Sequence, residues 1–232
     1  MDIRWITNLD KVEIDITYRC NLGCYNCSRS CGNSEPIPDM TIDQIKRFID
    51  QTKAVNKQWK MVSILGGEPT LHPDIIEIAT LLSELDCKVL LVTNGLKKDI
   101  LSDLNKIVKI KNTEKTTKEQ VFNLFNIAPI DTIEHSNNDY TQGCWITQNC
   151  GIGLNVNGYY PCAAGASIDT FLGLGIGKKS IPDDLKEMEN MLNKLCRYCG
   201  HFNNRTRDRS LFKVDTNISK TWKKLYKQGR IK

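Results

Sequence analysis

Three cysteines near the start of the chain, Cys20, Cys24 and Cys27, have the spacing C-x3-C-x2-C. Three thiolates can hold a four-iron cluster and leave one iron without a protein ligand, whereas a cluster used only for electron transfer normally has four cysteine ligands. The open iron could bind a substrate. For this spacing taken alone, a structural zinc site is the alternative.

Two further motifs follow these three cysteines, which we call the cysteine trio. Gly66-Gly67-Glu68-Pro69 stands about one βα unit later, and Thr93-Asn94-Gly95 ends the next apolar segment. Glycines let a backbone come close to a ligand, and Glu68 can accept a hydrogen bond from an ammonium group. Together with the trio, these motifs resemble the radical S-adenosylmethionine (SAM) superfamily.

This resemblance implies a set of cofactors and roles. The trio would ligate a [4Fe–4S] cluster whose free iron binds the amino and carboxylate groups of SAM. Flavodoxin or ferredoxin would reduce the cluster, and SAM would be cleaved to a 5′-deoxyadenosyl radical. The residues implied in SAM binding are Gly66, Gly67, Glu68, Pro69, Thr93 and Asn94. The chain departs from the family pattern at Asn26, because an aromatic residue usually precedes the third cysteine; here Tyr25 stands one position earlier.

The second half of the chain holds a separate group of cysteines. The dipeptide Asn157-Gly158 between short apolar runs predicts a hairpin, in which Cys162 would lie opposite Gly153 and Cys150 further along that strand. The region resembles the twitch domain, a shortened relative of the SPASM domain that holds one auxiliary four-iron cluster. By this resemblance the favoured ligands are Cys144, Cys162, Cys196 and Cys199, with Cys150 as the substitute. A four-cysteine zinc site is the alternative.

The remaining pattern predicts the elements that position these residues. Alternating apolar residues predict a first strand over residues 12–18 that ends at the trio. Helices that follow a Thr41–Gln44 capping box and Pro73 alternate with further strands, predicted at Met61–Leu65, Lys88–Val92 and Lys106–Ile110. Such alternation is typical of a parallel sheet with functional loops at the carboxyl ends of its strands.

The alternation stops after Ile110, so a complete barrel is not expected. We therefore predict an α/β fold with two domains. Residues 1–142 would form a partial (β/α) radical SAM barrel. Residues 143–232 would form a small cysteine-rich domain, twitch-like, built from a hairpin and a helix.

Composition narrows the class of protein. With 232 residues and 40% hydrophobic content, the chain can bury a core. No apolar run is long enough to cross a membrane, so we predict a cytoplasmic location without a membrane partner. Reducing conditions there would keep the 10 cysteines free, which favours metal ligation over disulfides. The net charge of +5 is modest, and its late excess from Arg205 to Lys232 indicates a solvated helical face rather than a docking surface for an acidic partner. No feature indicates a clear nucleic-acid partner.

The resemblance to short twitch enzymes also implies a function. We expect a radical SAM enzyme of oxidoreductase or epimerase type that abstracts hydrogen from a small polar substrate, such as a sugar or cyclitol, in an oxidation, epimerisation or rearrangement. Three alternatives stay open: modification of a ribosomally made peptide, activation of a glycyl-radical enzyme, and a non-catalytic zinc-binding module. Few residues precede the first predicted strand, which counts against the recognition domain that peptide maturases often carry.

Overall fold

The computed structural model describes residues 4–31, 37–115, 125–205 and 218–227. Most of the basic segment from Arg205 to Lys232 lies outside these ranges. The strands are β1 Lys11–Thr17, β2 Met61–Gly66, β3 Lys88–Thr93, β4 Lys109–Asn112, β5 Ile152–Asn155 and β6 Gly158–Tyr160. The helices are α1 Ile42–Ala54, α2 Ile75–Ser83, α3 Lys98–Ile107, α4 Trp145–Cys150, α5 Ala163–Leu172, α6 Leu185–Leu195 and α7 Lys220–Lys227.

The six strands of the described residues form one sheet in the order β4-β3-β2-β1-β5-β6. Neighbours from β4 to β5 are parallel, and β6 is antiparallel to β5. The predicted α/β class with a parallel sheet is therefore confirmed. Strand β5 pairs directly with β1, with Ile14 opposite Leu154, so the sheet continues across the predicted domain boundary after residue 142.

The two faces of β1 have opposite characters. Val12, Ile14 and Ile16 are fully buried in the main hydrophobic cluster with residues of α1 and α2. Because side chains alternate along a strand, Glu13 and Asp15 point to the other face. Fully burying each apolar side chain contributes about 1.5–3 kcal/mol, which fixes the register of the strand and so the start of the cysteine loop.

The helix starts agree with the capping signals. Gln44 N donates to Thr41 Oγ1 at 3.2 Å and Gln44 Oε1 accepts from Thr41 N at 3.0 Å, which completes the predicted capping box. Helix α2 begins two residues after Pro73, with Asp74 as its N-cap. No helix in the described ranges is long and apolar enough to cross a membrane.

Three local predictions were wrong. Lys106 and Ile107 belong to α3, because the amphipathic helix continues to Ile107 and the fourth strand begins only at Lys109. The hairpin pairs Asn155 with Gly158, a turn of two residues, so Gly153 lies opposite Tyr160 and not opposite Cys162. Cys150 ends helix α4 rather than extending the hairpin strand, since Gly151 (φ +82°) reverses the chain between them.

Candidate functional site

The loop that carries Gly66 and Gly67 packs directly on the backbone that begins the cysteine loop. Gly67 N donates to Thr17 O, and Glu68 N donates to Arg19 O, each at 2.8 Å. A Cβ on Gly67 would stand 2.8 Å from the carbonyl carbon of Arg19 and closer still to its oxygen. Glycine is therefore required here by the close approach of two loops, a reason that adds to the ligand approach expected from the sequence.

Glu68 joins this loop to the end of β3. Its side chain is only 1% exposed. Oε1 accepts from Thr70 N at 3.1 Å, from Thr70 Oγ1 at 2.6 Å and from Thr93 Oγ1 at 2.7 Å, while Oε2 accepts from Asn94 N at 2.7 Å. The structure thus brings the two predicted SAM-binding motifs together through one carboxylate. A carboxylate has about four acceptor sites, and the four described contacts equal that number. Its contact with an ammonium group stays a prediction.

The cysteine trio lies in the loop that leaves β1. Burial raises the pKa of Cys20 to about 11 and also raises that of Cys24. A hydrogen bond from the Cys31 thiol lowers the pKa of Cys27 to about 6. The thiolate is the form that binds metal, and the hydrogen bond from Cys31 favours that form at Cys27. Cys31 itself is buried and contacts the trio through Cys27.

The departure at Asn26 has a structural reason. Its backbone has φ +55°, in the left-handed region that asparagine adopts more readily than an aromatic residue. The side chain is 3% exposed, and Oδ1 accepts from Asn126 N at 3.1 Å. Asn26 therefore joins the cysteine loop to the segment after residue 125. Tyr25 is 47% exposed beside it.

The late cysteines converge on a second place. One buried cavity is lined by four of them: Cys144, Cys162, Cys196 and Cys199. Cys144 precedes α4 and Cys162 precedes α5, while Cys196 begins the 3-10 turn after α6 and Cys199 follows that turn. Burial raises the pKa of Cys144 to about 11 and that of Cys162 to about 12. Gly165 N donates to the Cys162 sulfur at 3.3 Å.

Cys150, the predicted substitute, is not among the residues that line this cavity. Its thiol is hydrogen-bonded to Glu13 on β1, and burial raises its pKa. No disulfide joins any of the ten cysteines, all of which lie in described residues. Within those residues, no group of three His, Cys, Asp or Glu side chains is placed to hold a single metal ion.

A shared hydrophobic cluster connects the two cysteine groups. Cys144, Cys162 and Cys199 are members of this cluster, and Cys20 and Cys27 pack against it. The same region contains a buried polar network that joins the ends of β1 and β5 to α5. Asn155 Nδ2 donates to the Tyr18 hydroxyl at 3.0 Å. The same Tyr18 hydroxyl lies 3.5 Å from Ser167 Oγ.

Sequence reasoning missed Arg29, two residues after Cys27. Its guanidinium pairs with Glu13 and Asp15 on the face of β1 opposite the main core. The signal was present: Glu13 and Asp15 alternate with Val12, Ile14 and Ile16 along the strand, and a charge on a buried strand requires a partner.

Comparison with known proteins defines the class of this arrangement. Residues 14–113, which include the trio and both motifs that follow it, match the model of the radical SAM superfamily. Residues 14–113 are thus similar to a radical SAM domain, and the proteins of that superfamily use a [4Fe–4S] cluster and SAM.

Individual relatives share this domain. The chain is 37% identical over 81 residues to the AdoMet-dependent heme synthase of Methanosarcina barkeri, a match that covers 35% of this chain and 23% of that protein. It is 30% identical over 106 residues to the 7,8-dihydro-6-hydroxymethylpterin dimethyltransferase of Methanocaldococcus jannaschii, over 45% of this chain and 20% of that protein. Each match spans less than a quarter of the relative.

A likeness of fold extends further along the chain. The crystal structure of BtrN in complex with AdoMet and 2-DOIA superposes with a TM-score of 0.54 at 17% identity, covering 94% of this chain and 98% of that chain. The two proteins therefore share a fold that includes the second half of the sequence.

Proposed function

We propose that the chain is a radical SAM enzyme with two [4Fe–4S] clusters. Cys20, Cys24 and Cys27 would hold the first cluster, and the cavity cysteines would hold an auxiliary cluster. The observation that carries the proposal is the convergence of Cys144, Cys162, Cys196 and Cys199 on one buried cavity. These residues come from three separate places in the second half of the chain, because Cys196 and Cys199 share one turn.

The residues of the first site fit the cofactors of the superfamily. Three sulfurs in one loop leave a cluster with an open iron, and Cys27 has a lowered pKa that favours the thiolate. When bound and reduced, the cluster and SAM supply a 5′-deoxyadenosyl radical that takes a hydrogen atom from the substrate. The chain itself positions the two motifs proposed to bind SAM. The Glu68 carboxylate accepts hydrogen bonds from Thr93 and Asn94, and these bonds hold the end of β3 against the loop that contains Glu68.

The second site fits a fully ligated cluster. Four cysteine ligands leave no open iron, which suits electron transfer to or from a substrate radical. In this proposal residues 1–142 hold SAM and its cluster, whereas residues 143–232 hold the auxiliary cluster. The division describes cofactor binding rather than the sheet, because β5 is part of the same sheet as β1.

For the substrate we propose a small polar molecule, sugar-like or cyclitol-like, that is oxidised, epimerised or rearranged. Support comes from the likeness to BtrN over nearly the full length of both chains, since that crystal structure contains AdoMet and 2-DOIA. The sequence relatives do not indicate one substrate class, because a heme synthase and a dimethyltransferase both match this part of the chain. Flavodoxin or ferredoxin would supply the electron.

Anaerobic reconstitution with iron and sulfide counting tests the cofactors. We expect about eight irons and eight sulfides per chain. Cys24→Ala and Cys199→Ala should each reduce the count to about four, while Cys87→Ala, which lies outside both groups, should leave it unchanged. Roughly four irons in the unmodified chain would refute the auxiliary cluster, and bound zinc without sulfide would refute both.

SAM cleavage and the substrate class need separate assays. With dithionite as reductant, the unmodified chain and Cys87→Ala should release 5′-deoxyadenosine, whereas Cys24→Ala should not. Substrate-dependent acceleration of this release can then be compared between a panel of aminated sugars and cyclitols and a panel of short peptides. Acceleration by peptides alone would contradict the proposed substrate class.

A further inference from the structure

Arg29 is held by two carboxylates of β1, of which that of Asp15 is buried and that of Glu13 is half-buried. Its Nε lies 3.2 Å from both Oδ1 and Oδ2 of Asp15, and its Nη2 lies 3.0 Å from Glu13 Oε2. The side chains of Arg29, Asp15 and Glu13 are 15%, 0% and 14% exposed. Such a network stabilises a fold only when it is complete, because removing one partner leaves an uncompensated buried charge. The planar guanidinium fork, which lysine lacks, reaches both carboxylates at once.

The backbone of Arg29 belongs to the turn that follows the third cysteine. Ser30 N donates to Cys27 O at 2.8 Å, which closes the turn. The Cys31 thiol lies 3.8 Å from Arg29 O and is also hydrogen-bonded to the Cys27 sulfur. Fixing the Arg29 side chain on β1 therefore fixes the turn, and with it the direction of the Cys27 sulfur.

The guanidinium also places a positive charge close to Cys27. Arg29 follows Cys27 by two residues and lies inside the turn that the hydrogen bond from Ser30 N to Cys27 O closes. The same charge would favour an added electron on a cluster bound there, since net charge near a cluster helps set its reduction potential. Arg29 can thus act on the cluster by geometry and by charge.

We propose that Arg29 is a positioning residue of the first cluster: held by Glu13 and Asp15, it orients Cys27 as a ligand and keeps a positive charge beside it. This inference rests on the proposed function, because Cys27 is a ligand only if the trio holds the cluster. It concerns residues outside the recognised cysteine and glycine motifs.

Two variants separate geometry from charge. Arg29→Lys keeps the charge but loses the fork, and Arg29→Gln loses both. The matched control is Arg4→Lys, an arginine that is ion-paired with Glu189 on the surface. Each protein is reconstituted anaerobically and reduced, and the part of the EPR signal that changes on adding SAM identifies the first cluster. Loss of the first cluster is followed by the decay of this signal during incubation with a chelator. The midpoint potential of the first cluster is measured by redox titration.

We expect the first cluster to be lost at least tenfold faster in Arg29→Lys than in the unmodified chain, with Arg4→Lys unchanged. The equilibrium constant for one-electron reduction of the first cluster should be at least tenfold lower in Arg29→Gln than in Arg29→Lys. This corresponds to a midpoint potential that is lower by about 59 mV. Equal loss rates for Arg29→Lys and the unmodified chain would overturn the geometric role, and equal potentials in the two variants would overturn the role of charge. If Arg29→Gln does not fold, the comparison of Arg29→Lys with Arg4→Lys still decides the geometric role. A failure of the unmodified chain to take up any iron–sulfur cluster would instead refute the proposed function.

Discussion

Replacing Gly67 by alanine tests whether the close contact between two loops is a structural requirement of this fold. The added methyl group would stand 2.8 Å from the carbonyl carbon of Arg19 and 3.0 Å from that of Tyr18. Both neighbours are backbone atoms, so no flexible side chain can move aside. The loops must separate, and the hydrogen bonds from Gly67 N and Glu68 N to the cysteine loop must lengthen or break.

The expected cost has two parts. Forcing a methyl group into a packed site costs about 1–3 kcal/mol. Each backbone hydrogen bond that is lost removes about 0.5–1.5 kcal/mol. Separation of the loops relieves part of the steric term while it breaks the hydrogen bonds, so the two parts do not add in full. We expect the free energy of unfolding of Gly67→Ala to be lower by roughly 2–4 kcal/mol, a fall in Tm of roughly 5–15 °C for a chain of this size.

Gly23→Ala provides the matched control. Gly23 is in the cysteine loop as well, but a Cβ there would meet no atom within 4 Å. Urea unfolding of the metal-free proteins, measured anaerobically with a reductant, should therefore give a change within about 0.5 kcal/mol for Gly23→Ala. If Gly67→Ala also stays within about 0.5 kcal/mol of the unmodified chain, the argument from close packing is wrong.

Three further predictions concern single side chains. Cys150→Ser should keep about eight irons after reconstitution, whereas a serine at any cavity cysteine should lose iron; equal losses would return Cys150 to the ligand set. Glu68→Gln should lower the free energy of unfolding by about 2 kcal/mol, because hydrogen bonds to a charged acceptor are replaced by weaker ones; urea unfolding measures this, and no change would show that the carboxylate contacts are not needed. Tyr18→Phe should lower the free energy of unfolding by about 1 kcal/mol, because the Asn155 amide is left with fewer partners. The control Tyr25→Phe, at an exposed tyrosine, should leave the free energy of unfolding almost unchanged in the same assay. Equal changes in the two variants would contradict the buried network.

The parallel α/β fold was predictable because its signals are local. Apolar alternation in β1 and the Thr41–Gln44 capping box each act within a few residues, and both are present in the structure. The trio and the glycine motif could be placed near each other because the carboxyl ends of parallel strands lie at the same edge of a sheet.

Other features depend on contacts that a sequence pattern does not contain. The role of Glu68 in joining two loops requires knowing that Thr93 and Asn94 lie beside it. Helix α5 was not predicted, since its small residues carry little helical periodicity and it is buried on nearly all sides. The strand position expected for Cys150 failed at Gly151, where a positive φ lets the chain turn between a helix and β5.

The pairing of β5 with β1 leads to a last prediction, that residues 1–142 alone do not fold cooperatively. β1 lies between β2 and β5, so removing the second half would leave the backbone edge of β1 without a partner at three paired positions. It would also expose the trio side of the loop, where Cys20 and Cys27 pack against a hydrophobic cluster that contains Cys144 and Cys162. An unpaired edge next to uncovered apolar surface favours aggregation. Expression of residues 1–142 beside the full chain, followed by urea unfolding of whatever is soluble, tests this. A soluble fragment with a single cooperative transition would show that the first half forms an independent domain, and that the second half is attached to it rather than folded with it.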